Sequence, residues 1–428
     1  MFFFDIEVYP NLFIIVFRNR STDEILTFTL WNNEGSIREL LQFLYKNKSA
    51  YFIGYNSLGY DMQIIQYIVN NPQCTNTDIK RFNDQLIDSD WPIFREKDLA
   101  YKTLDVMLVN NYGIRSAKST SLKMLEFNFR YSKIQDLPYH FNDYIDTSSK
   151  VSEIIKYCTY DVAATKDIFD KSIDLIKLRN EFGKLHNLNL INSPEPDLVK
   201  KFFIRKLSEA LNISEYEVKQ LKSYPTSIKG TDIILPHIKI NGIPEFISVY
   251  NFYNNLVLEA DKKSAVTGNQ IINLKNAVSK IITHNDTEYV YGSGGLHGCI
   301  KPGVYEDNEE YIIEDYDKTS FYPHFAFVHG ITPKHFPKEV YMELLHGVFH
   351  DRTKYPKKTH FSLNYALKII LNTSFGLSNS EYGSFFDTEC TLATTVNGML
   401  TLTMLLDMLY SRIEDITVLQ SNTKPLVF

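Results

Sequence analysis

Residues 311–323 read YIIEDYDKTSFYP, and the interpretation of the whole chain starts from them. Strand-forming residues lead into Asp317, and the segment 320–323 then ends the strand and turns the chain. A carboxylate at a strand end, followed at once by a turn, can hold a hard divalent cation beside a phosphate. The alternative is a buried strand that ends in a polar turn. What stands before and after this stretch has to decide between the two.

The composition sets only broad limits. A chain of 428 residues is long enough for two or three domains with ample cores. Hydrophobic residues at 44% and charged residues at 22% are ordinary for a globular protein. The net charge of −6 argues against a basic coat over the whole surface, but it allows a local basic groove beside acidic metal sites. Composition alone therefore does not decide the function.

The cysteines and the apolar runs bear on the compartment. The four cysteines are scattered without a C-x-x-C pair, so we expect neither a zinc module nor a disulfide framework. No apolar run is expected to approach transmembrane length, and we expect no membrane partner. Because Asp5 already belongs to a candidate site, a signal peptide is not expected either. These features predict a protein of a reducing, cytoplasmic compartment.

The first seventy residues predict an ordered series of elements. Three strands are expected at 2–8, 11–17 and 25–30, followed by a helix at 37–45. A short strand at 51–53 and a second amphipathic helix at 60–69 follow. Three strands, helix, strand and helix is the order of a ribonuclease H-like sheet.

Acidic residues fall where such a sheet would use them. Asp5 and Glu7 are two residues apart on the first strand, so both side chains point to one face. Two like charges on an apolar strand are costly unless a positive charge lies between them, and the hydrophobic flanks argue against an exposed edge strand. Asp61 opens the second helix. Tyr157 and Asp161 are four residues apart, on one face of a predicted long helix.

This pattern resembles the DEDD-type 3′–5′ exonucleases that carry a tyrosine in their third motif. The resemblance implies that Asp5, Glu7 and Asp161 ligate two Mg²⁺ or Mn²⁺ ions, and that Asp61 acts directly or through water. Tyr157 would orient the attacking water. Further residues would bind the single-stranded 3′ end of DNA: Asn56, Tyr60, Ser121 and Leu122. For Ser121 the alternative is a helix N-cap, a role that Ser119 could also fill.

Two segments in the middle of the chain, one with prolines and one rich in glycine, indicate breaks in regular structure. The segment NSPEPD at 192–197 predicts the end of the exonuclease domain, which we place at 1–190. A helix is expected at 198–211, with its basic residues on a solvated face or on DNA. The segment YGSGGLHG at 291–298 resembles the glycine-rich element that joins exonuclease and polymerase modules and contacts template. Its alternative is a plain glycine-rich hairpin.

Residues after 310 resemble the motifs of family B DNA polymerases. The pattern D-x-x-S-F-Y-P resembles motif A, which implies that Asp317 ligates metal, that Ser320 binds substrate and that Tyr322 lies under the sugar. KIILNTSFG, at the end of a helix predicted at 361–373, resembles motif B. Lys368 and Asn372 share a helical face and would meet the triphosphate. Gly376 fits both a helix C-cap and a close backbone approach.

The last residues depart from the family pattern. A long helix is expected at 395–413, followed by a strand, a turn at 422–424 and a second strand, which is the form of motif C. Lys424 stands where the family carries its second palm aspartate. A lysine cannot ligate Mg²⁺, so polymerase activity would need the aspartate and the thumb from a second polypeptide or from a missing C-terminal part.

Taken together, the chain resembles a compact family B DNA polymerase of the phage or mobile-element type. The resemblance implies an α/β and α+β multidomain protein, with a ribonuclease H-like exonuclease domain followed by palm and fingers at 191–428, the thumb being absent. It implies a DNA-directed DNA polymerase with proofreading in DNA replication, which binds primer-template DNA and deoxynucleoside triphosphates. The alternative is a stand-alone 3′–5′ exonuclease with an inert palm.

Overall fold

The computed structural model describes residues 1–35, 37–89, 91–112, 120–274, 277–309, 312–317, 321–374, 376–381, 383–422 and 425–427. Contacts within the chain divide it into two compact units, Met1–Glu195 and Pro196–Phe428. They are called the first unit and the second unit below.

The first unit mixes strands with helices in the order expected from the sequence. Its elements are β1 Phe2–Tyr9, β2 Leu12–Asn19, β3 Ile25–Trp31, β4 Glu34–Gly35, α1 Ile37–Lys46, β5 Phe52–Gly54, α2 Asp61–Asn70, α3 Asn76–Ile87, a 3₁₀ turn Glu96–Asp98, β6 Thr103–Asp105, α4 Val106–Val109, α5 Leu122–Asn128, α6 Ser148–Lys171 and α7 Ile173–His186. The strands and helices predicted over the first seventy residues are confirmed to within about two residues at each end.

The strand β1 lies inside the sheet of this unit. In the described part of the unit, the strand order is β4-β3-β2-β1-β5-β6. β1 pairs antiparallel with β2 along its whole length and parallel with β5 at Phe2 and Phe3. Because β1 has a neighbour on both sides, the edge-strand alternative for Asp5 and Glu7 is wrong.

The two faces of β1 pack against different helices. Phe2, Phe4 and other even-numbered residues join one hydrophobic core with α1, α2 and α3. Phe3 and Tyr9 join a second core, to which α6 contributes. Side chains alternate across a strand, so Asp5 and Glu7 lie on the same face as Phe3 and Tyr9 and point towards α6. The alternation of side chains therefore places two carboxylates in the otherwise apolar contact between β1 and α6.

The second unit is also mixed α/β. Its elements are α8 Glu195–Leu211, α9 Glu215–Gln220, β7 Ser227–Lys229, α10 Gly230–Ile233, α11 Pro244–Asn254, β8 Val257–Glu259, β9 Lys262–Lys263, β10 Gln270–Ile271, β11 Lys280–His284, β12 Thr287–Gly292, β13 Gly295–Cys299, β14 Asp315–Asp317, α12 Phe321–His329, α13 Lys338–Lys354, α14 Phe361–Ser374, a 3₁₀ turn Gly376–Asn379, α15 Thr388–Arg412, β15 Gln420–Asn422 and β16 Pro425–Val427.

The main sheet of this unit has the order β11-β12-β13-β15-β16-β14 among the described strands. β12 and β13 form a hairpin in which Gly292 pairs with Gly295. Gly295 has a φ of 130°, which only glycine adopts easily, and a Cβ at Gly298 would lie 2.7 Å from the Tyr289 ring. Gly295 and Gly298 are thus explained by the hairpin itself, which is the alternative given for this segment.

The long helix α15 corrects the expectation about apolar runs. By length and composition alone it could cross a membrane, so the expectation that no run approaches that length is wrong. In the fold, 61% of the most apolar 18-residue stretch of this helix is buried. Leu392, Val396 and Met399 are fully buried in the core of the second unit. The helix therefore behaves as the core helix of this unit.

Two helices begin earlier than the sequence predicts. α8 begins at Glu195 rather than at 198, and α15 begins at Thr388 rather than at 395. Asp387 caps α15 by accepting hydrogen bonds from the backbone N–H groups of Glu389 and Cys390. Basic residues of α8 form ion pairs with surface carboxylates, Lys201 with Asp197 among them, which is the solvated-face alternative.

Candidate active site

Three carboxylates meet where β1 faces α6. One carboxylate oxygen each from Asp5, Glu7 and Asp161 lies within 4.8 Å of the other two. The strand supplies the first two through its alternation, and the helix supplies the third. Cys158, one turn before Asp161, is fully buried, and its Sγ donates to the Asp5 carbonyl oxygen at 3.4 Å. This contact docks the helix on the strand beside the carboxylates.

Packing makes these carboxylates weak acids. Burial, and then the charge of Asp161, raise the pKa of Asp5 to about 8. Burial, and then Asp5, raise the pKa of Glu7 well above its usual value. For Asp161, burial raises the pKa to about 6, although Lys123 and the Tyr157 hydrogen bond act in the opposite direction. The cluster therefore gains free energy from any cation that neutralises it.

Asp61 lies beside the three carboxylates, at the first residue of α2. It is buried at 3% exposure, and its Oδ1 has no hydrogen-bond partner within the described part of the chain. Burial, and then the charge of Asp5, raise its pKa. Within the described residues, Asp61 does not belong to the group whose oxygens meet within 4.8 Å. Its position fits a carboxylate that acts at slightly longer range, as through a water molecule.

The loop before α2 is held by a carboxylate that the sequence did not single out. Asp105, at the end of β6, accepts hydrogen bonds of 3.0 Å from the backbone N–H groups of Asn56, Leu58 and Met107. Burial raises its pKa to about 6 in spite of these bonds. The signal available in the sequence was a single Asp directly before the apolar stretch Val106–Val109. Asp105 thus fixes the loop that leads into Asp61.

Tyr157 lies between a carboxylate and a cation. Its side chain is hydrogen-bonded to Asp161, and the Nζ of Lys123 lies over its ring at 4.7 Å from the centroid. Burial, followed by the charges of Asp161 and Glu7, raises the pKa of the phenol, which therefore stays protonated and able to donate. The sequence predicted the position of Tyr157 but not the role of Lys123, because their contact joins different helices.

The residues expected to hold a DNA end have mixed surroundings. Asn56 is exposed and has a φ of 57°, in the left-handed region that Asn tolerates. The Tyr60 hydroxyl donates to Asn83 at 2.5 Å, and its ring packs against the first hydrophobic core. Ser121 is the N-cap of α5: its Oγ accepts a hydrogen bond from the Met124 N–H at 3.2 Å. This is the alternative role given for Ser121 above. Leu122 packs against the core that includes α6.

In the second unit, the motif A residues lie on an exposed strand and the helix after it. Asp317 is exposed at the end of β14, so the alternative of a buried strand is wrong. It pairs with Pro425, the residue directly after Lys424. Tyr322 is 9% exposed, and a Cβ at Gly398 would lie 2.9 Å from its ring. Ser320 and Lys424 lie outside the described residues.

The motif B residues project from one side of α14. Lys368 and Asn372 are both exposed and lie one turn apart. Gly376 begins the following 3₁₀ turn and is exposed. A Cβ there would have no described atom within 4 Å, and Gly376 is not among the glycines with positive φ. Neither the left-handed C-cap nor a close approach within the chain therefore requires glycine at this position.

The residues of the first unit fit a divalent cation. Carboxylate oxygens are the ligands that Mg²⁺ and Mn²⁺ prefer, and three of them converge from a strand and a helix. The buried Oδ1 atoms of Asp61 and Asp161 have no hydrogen-bond partner in the described part of the chain, so each can accept a new contact. The donor set and its excess negative charge are thus those of a cation site.

Among the comparisons with known proteins, the comparison with solved structures finds a similarity. No protein-family model and no curated protein matches the sequence. Among solved structures, the chain is similar to a family B DNA polymerase from the hyperthermophilic archaeon Pyrobaculum calidifontis, with a TM-score of 0.55 and 14% sequence identity. The match covers 100% of this chain and 53% of the archaeal chain.

At this level of identity the likeness concerns the fold. The chain has a mixed α/β fold similar to that of a family B DNA polymerase along its whole length. It spans about half the length of that structure. What the chain does has to be argued from its own side chains.

Proposed function

We propose that the chain is an enzyme of DNA metabolism of the family B polymerase type, and that its first unit is a 3′–5′ exodeoxyribonuclease. The convergence of Asp5, Glu7 and Asp161 within 4.8 Å is the observation that carries the proposal. The fold likeness to a family B DNA polymerase supports it. The substrate would be the single-stranded 3′ end of DNA, and the role would be proofreading in replication.

Each side chain has a task in this proposal. Asp5, Glu7 and Asp161 hold divalent cations, Mg²⁺ or Mn²⁺, and Asp61 assists from the N-terminus of α2. When bound, such ions activate water and stabilise the leaving 3′ oxygen. The protonated Tyr157 hydroxyl donates its hydrogen bond to Asp161, and its oxygen lone pairs can accept a hydrogen bond from an attacking water and so orient it.

A 5′-labelled single strand tests this activity with the full chain. We expect the parent protein to shorten the strand from its 3′ end when Mg²⁺ or Mn²⁺ is present. Asp161→Ala and Asp5→Ala each remove a carboxylate of the cluster, so each should lower the rate by at least about 100-fold.

Asp170→Ala is the matched control on the same helix. Asp170 forms an exposed ion pair with Lys166, away from the cluster, so its loss should leave the rate unchanged. If Asp161→Ala digests DNA as fast as Asp170→Ala, the nuclease lies elsewhere or is a contaminant.

For the second unit we propose a polymerase palm and fingers, in which Asp317 ligates metal, Tyr322 lies under the sugar and Lys368 with Asn372 meets the incoming triphosphate. The exposed, one-turn spacing of Lys368 and Asn372 supports this assignment. Two-metal nucleotidyl transfer needs carboxylates on both sides of the metal pair, and Lys424 stands where the second one is expected. Extension would then need a carboxylate supplied by a second polypeptide or by a missing C-terminal part.

Primer extension on an Asp5→Ala background separates the two candidate functions. In this background degradation cannot mask synthesis. We expect no extension by the 428-residue chain alone. Robust extension would show that the placement of motif C at 422–424 is wrong. If the Asp5→Ala chain extends no primer, alone or with a second polypeptide, while the parent chain degrades DNA, the stand-alone exonuclease is favoured.

A further inference from the structure

The short helix α5 carries a buried acid that the proposed reaction does not use. Glu126 is 1% exposed and lies on the face of α5 that packs into the unit, next to the fully buried Leu125. The outer face of the same helix exposes Met124 and Phe127. A glutamate at a core position is costly, because an ionised carboxylate loses its hydration there. Such a position calls for a compensating contact.

No such contact is supplied by the described residues. Both carboxylate oxygens of Glu126 are buried and have no hydrogen-bond partner in the described part of the chain. Lys123, one turn earlier on α5, forms a hydrogen bond with the Gln135 carbonyl oxygen and lies over the Tyr157 ring. The lysine is thus engaged with other groups, and it forms no ion pair with Glu126 within the described residues.

The surroundings of Glu126 indicate which kind of partner would compensate its buried carboxylate. α5 packs against α6, and Asp161 is the neighbouring charge that Glu126 feels most strongly. Lys123, on the same helix, acts electrostatically on Asp5, Glu7, Asp161 and Glu126 alike. Lys123 also lies over the ring of Tyr157, one turn before Asp161, so this part of α5 lies beside the acidic cluster. Within the described residues Glu126 is outside the group whose oxygens meet within 4.8 Å, so its buried, unpartnered oxygens would act on a cation from longer range than those three carboxylates.

We propose that Glu126 is a further carboxylate of the cluster, which helps to hold a divalent cation from the side of α5, directly or through a water molecule. This inference rests on the proposed function of the first unit. It adds a fourth element, α5, to the three that supply Asp5 and Glu7, Asp61, and Asp161. In its role Glu126 is a positioning residue for the cation rather than a group that touches the DNA.

The competing explanation is a buried acid that stays protonated and does nothing. Glutamine distinguishes the two, because it has nearly the shape of protonated glutamic acid but cannot ligate a cation with a negative charge. A purely structural role survives Glu126→Gln, and a cation-holding role does not. Glu126→Asp keeps the charge on a shorter side chain and should recover part of the affinity.

The test is Mn²⁺ binding to the full chain in the absence of DNA, followed by electron paramagnetic resonance and by titration calorimetry. We expect Glu126→Gln to weaken the binding of one ion by about 10- to 100-fold. The surface variant Glu181→Gln on α7 serves as the control and should bind as the parent does. Unchanged stoichiometry and affinity in Glu126→Gln would overturn the inference. If this variant does not fold, Glu126→Met, which keeps the volume without a charge, takes its place in the same comparison.

Asp161→Ala in the same titration keeps the two proposals separate. If Asp161→Ala loses an ion and Glu126→Gln does not, only the inference about Glu126 fails. If neither variant changes Mn²⁺ binding, the cluster holds no cation, and the proposed nuclease site fails with it.

Discussion

Tyr157 shows at the scale of one residue how the candidate site is built. One end of its side chain is hydrogen-bonded to Asp161, and its ring is covered by the ammonium group of Lys123. The side chain is thereby held at its hydroxyl and at one face of its ring, and the hydroxyl has a defined direction. Only the hydroxyl distinguishes Tyr from Phe, so its contribution can be isolated.

We expect Tyr157→Phe to slow exonucleolytic cleavage by about 10- to 100-fold, because the hydrogen bond that orients water is lost while the ring contact with Lys123 remains. Single-turnover rates measure the loss, and fluorescence anisotropy with a labelled single strand measures DNA affinity. The affinity should change little. A loss of affinity as large as the loss of rate would show that Tyr157 binds DNA rather than orienting water.

Two buried aspartates that cap backbone segments offer a matched pair. Asp105 accepts from three N–H groups in the first unit, and Asp407 accepts from the N–H groups of Asn241, Gly242 and Ile243 in the second. Each Asp→Ala change leaves buried donors without a partner, so each should cost about 2 kcal/mol or more of stability.

The two variants should differ in activity. Asp105→Ala should also lower the exonuclease rate, because the loop that leads into Asp61 loses its anchor. Asp407→Ala should lower the free energy of unfolding and leave that rate unchanged. Calorimetry and the 3′-end assay measure the two effects, and equal loss of activity in both variants would contradict the role given to Asp105.

At the scale of elements, local sequence patterns predicted the site residues that share one strand or one helix. They did not predict the residues that reach the site through packing between elements. The spacing of Asp5 and Glu7 on a strand, and of Tyr157 and Asp161 on a helix, follows from the periods of these elements. Asp105, Lys123 and Glu126 were not singled out, because their closeness to the site depends on how β6 and α5 pack against other elements. The start of α15 was also missed, since Thr and Cys in its first turns mask the helical pattern.

Packing between elements gives a prediction for two glycines. A Cβ at Gly230, the first residue of α10, would lie 1.7 Å from the Tyr253 carbonyl oxygen at the end of α11. Gly230→Ala therefore forces the backbone to shift and should lower the free energy of unfolding by about 1–3 kcal/mol. Gly347, inside α13, is exposed, and a Cβ added there would have no described atom within 4 Å.

Gly347→Ala should accordingly raise the free energy of unfolding by about 0.5–1 kcal/mol, because alanine loses less backbone entropy in a helix. Calorimetric unfolding of both variants beside the parent is the measurement. The same sign of change in both variants would contradict the packing described for Gly230.

At the scale of the whole molecule, the acidic cluster links stability to pH and to cations. The folded pKa values of Asp5, about 8, and Asp161, about 6, lie above the usual value of about 4 for a free aspartate. The folded state thus binds these protons more tightly than the unfolded chain. The stability that they contribute is present at low pH and is lost as the pH rises from about 4 through 6 and 8.

A divalent cation should replace those protons. We expect millimolar Mg²⁺ to raise the Tm more at about pH 8.5 than at about pH 5.5, because the carboxylates are ionised only at the higher pH. Thermal unfolding at matched ionic strength, with NaCl as the control, measures the difference. In Asp5→Asn the dependence on pH should be smaller. An equal Mg²⁺ effect at both pH values would contradict the cation site.

The distance in sequence between β1 and α6 has a consequence during synthesis. Asp5 and Cys158 are 153 positions apart, so a ribosome that adds about 5–20 residues per second completes the partner helix roughly 8–30 s after the strand. Until then the nascent segment FFFDIEVY offers an apolar, strand-forming surface to other chains. Asp5 and Glu7 interrupt that surface with charge, as gatekeeper residues do. We therefore expect the two carboxylates that are costly in the finished fold to reduce aggregation of the emerging chain through the face of β1 that awaits α6.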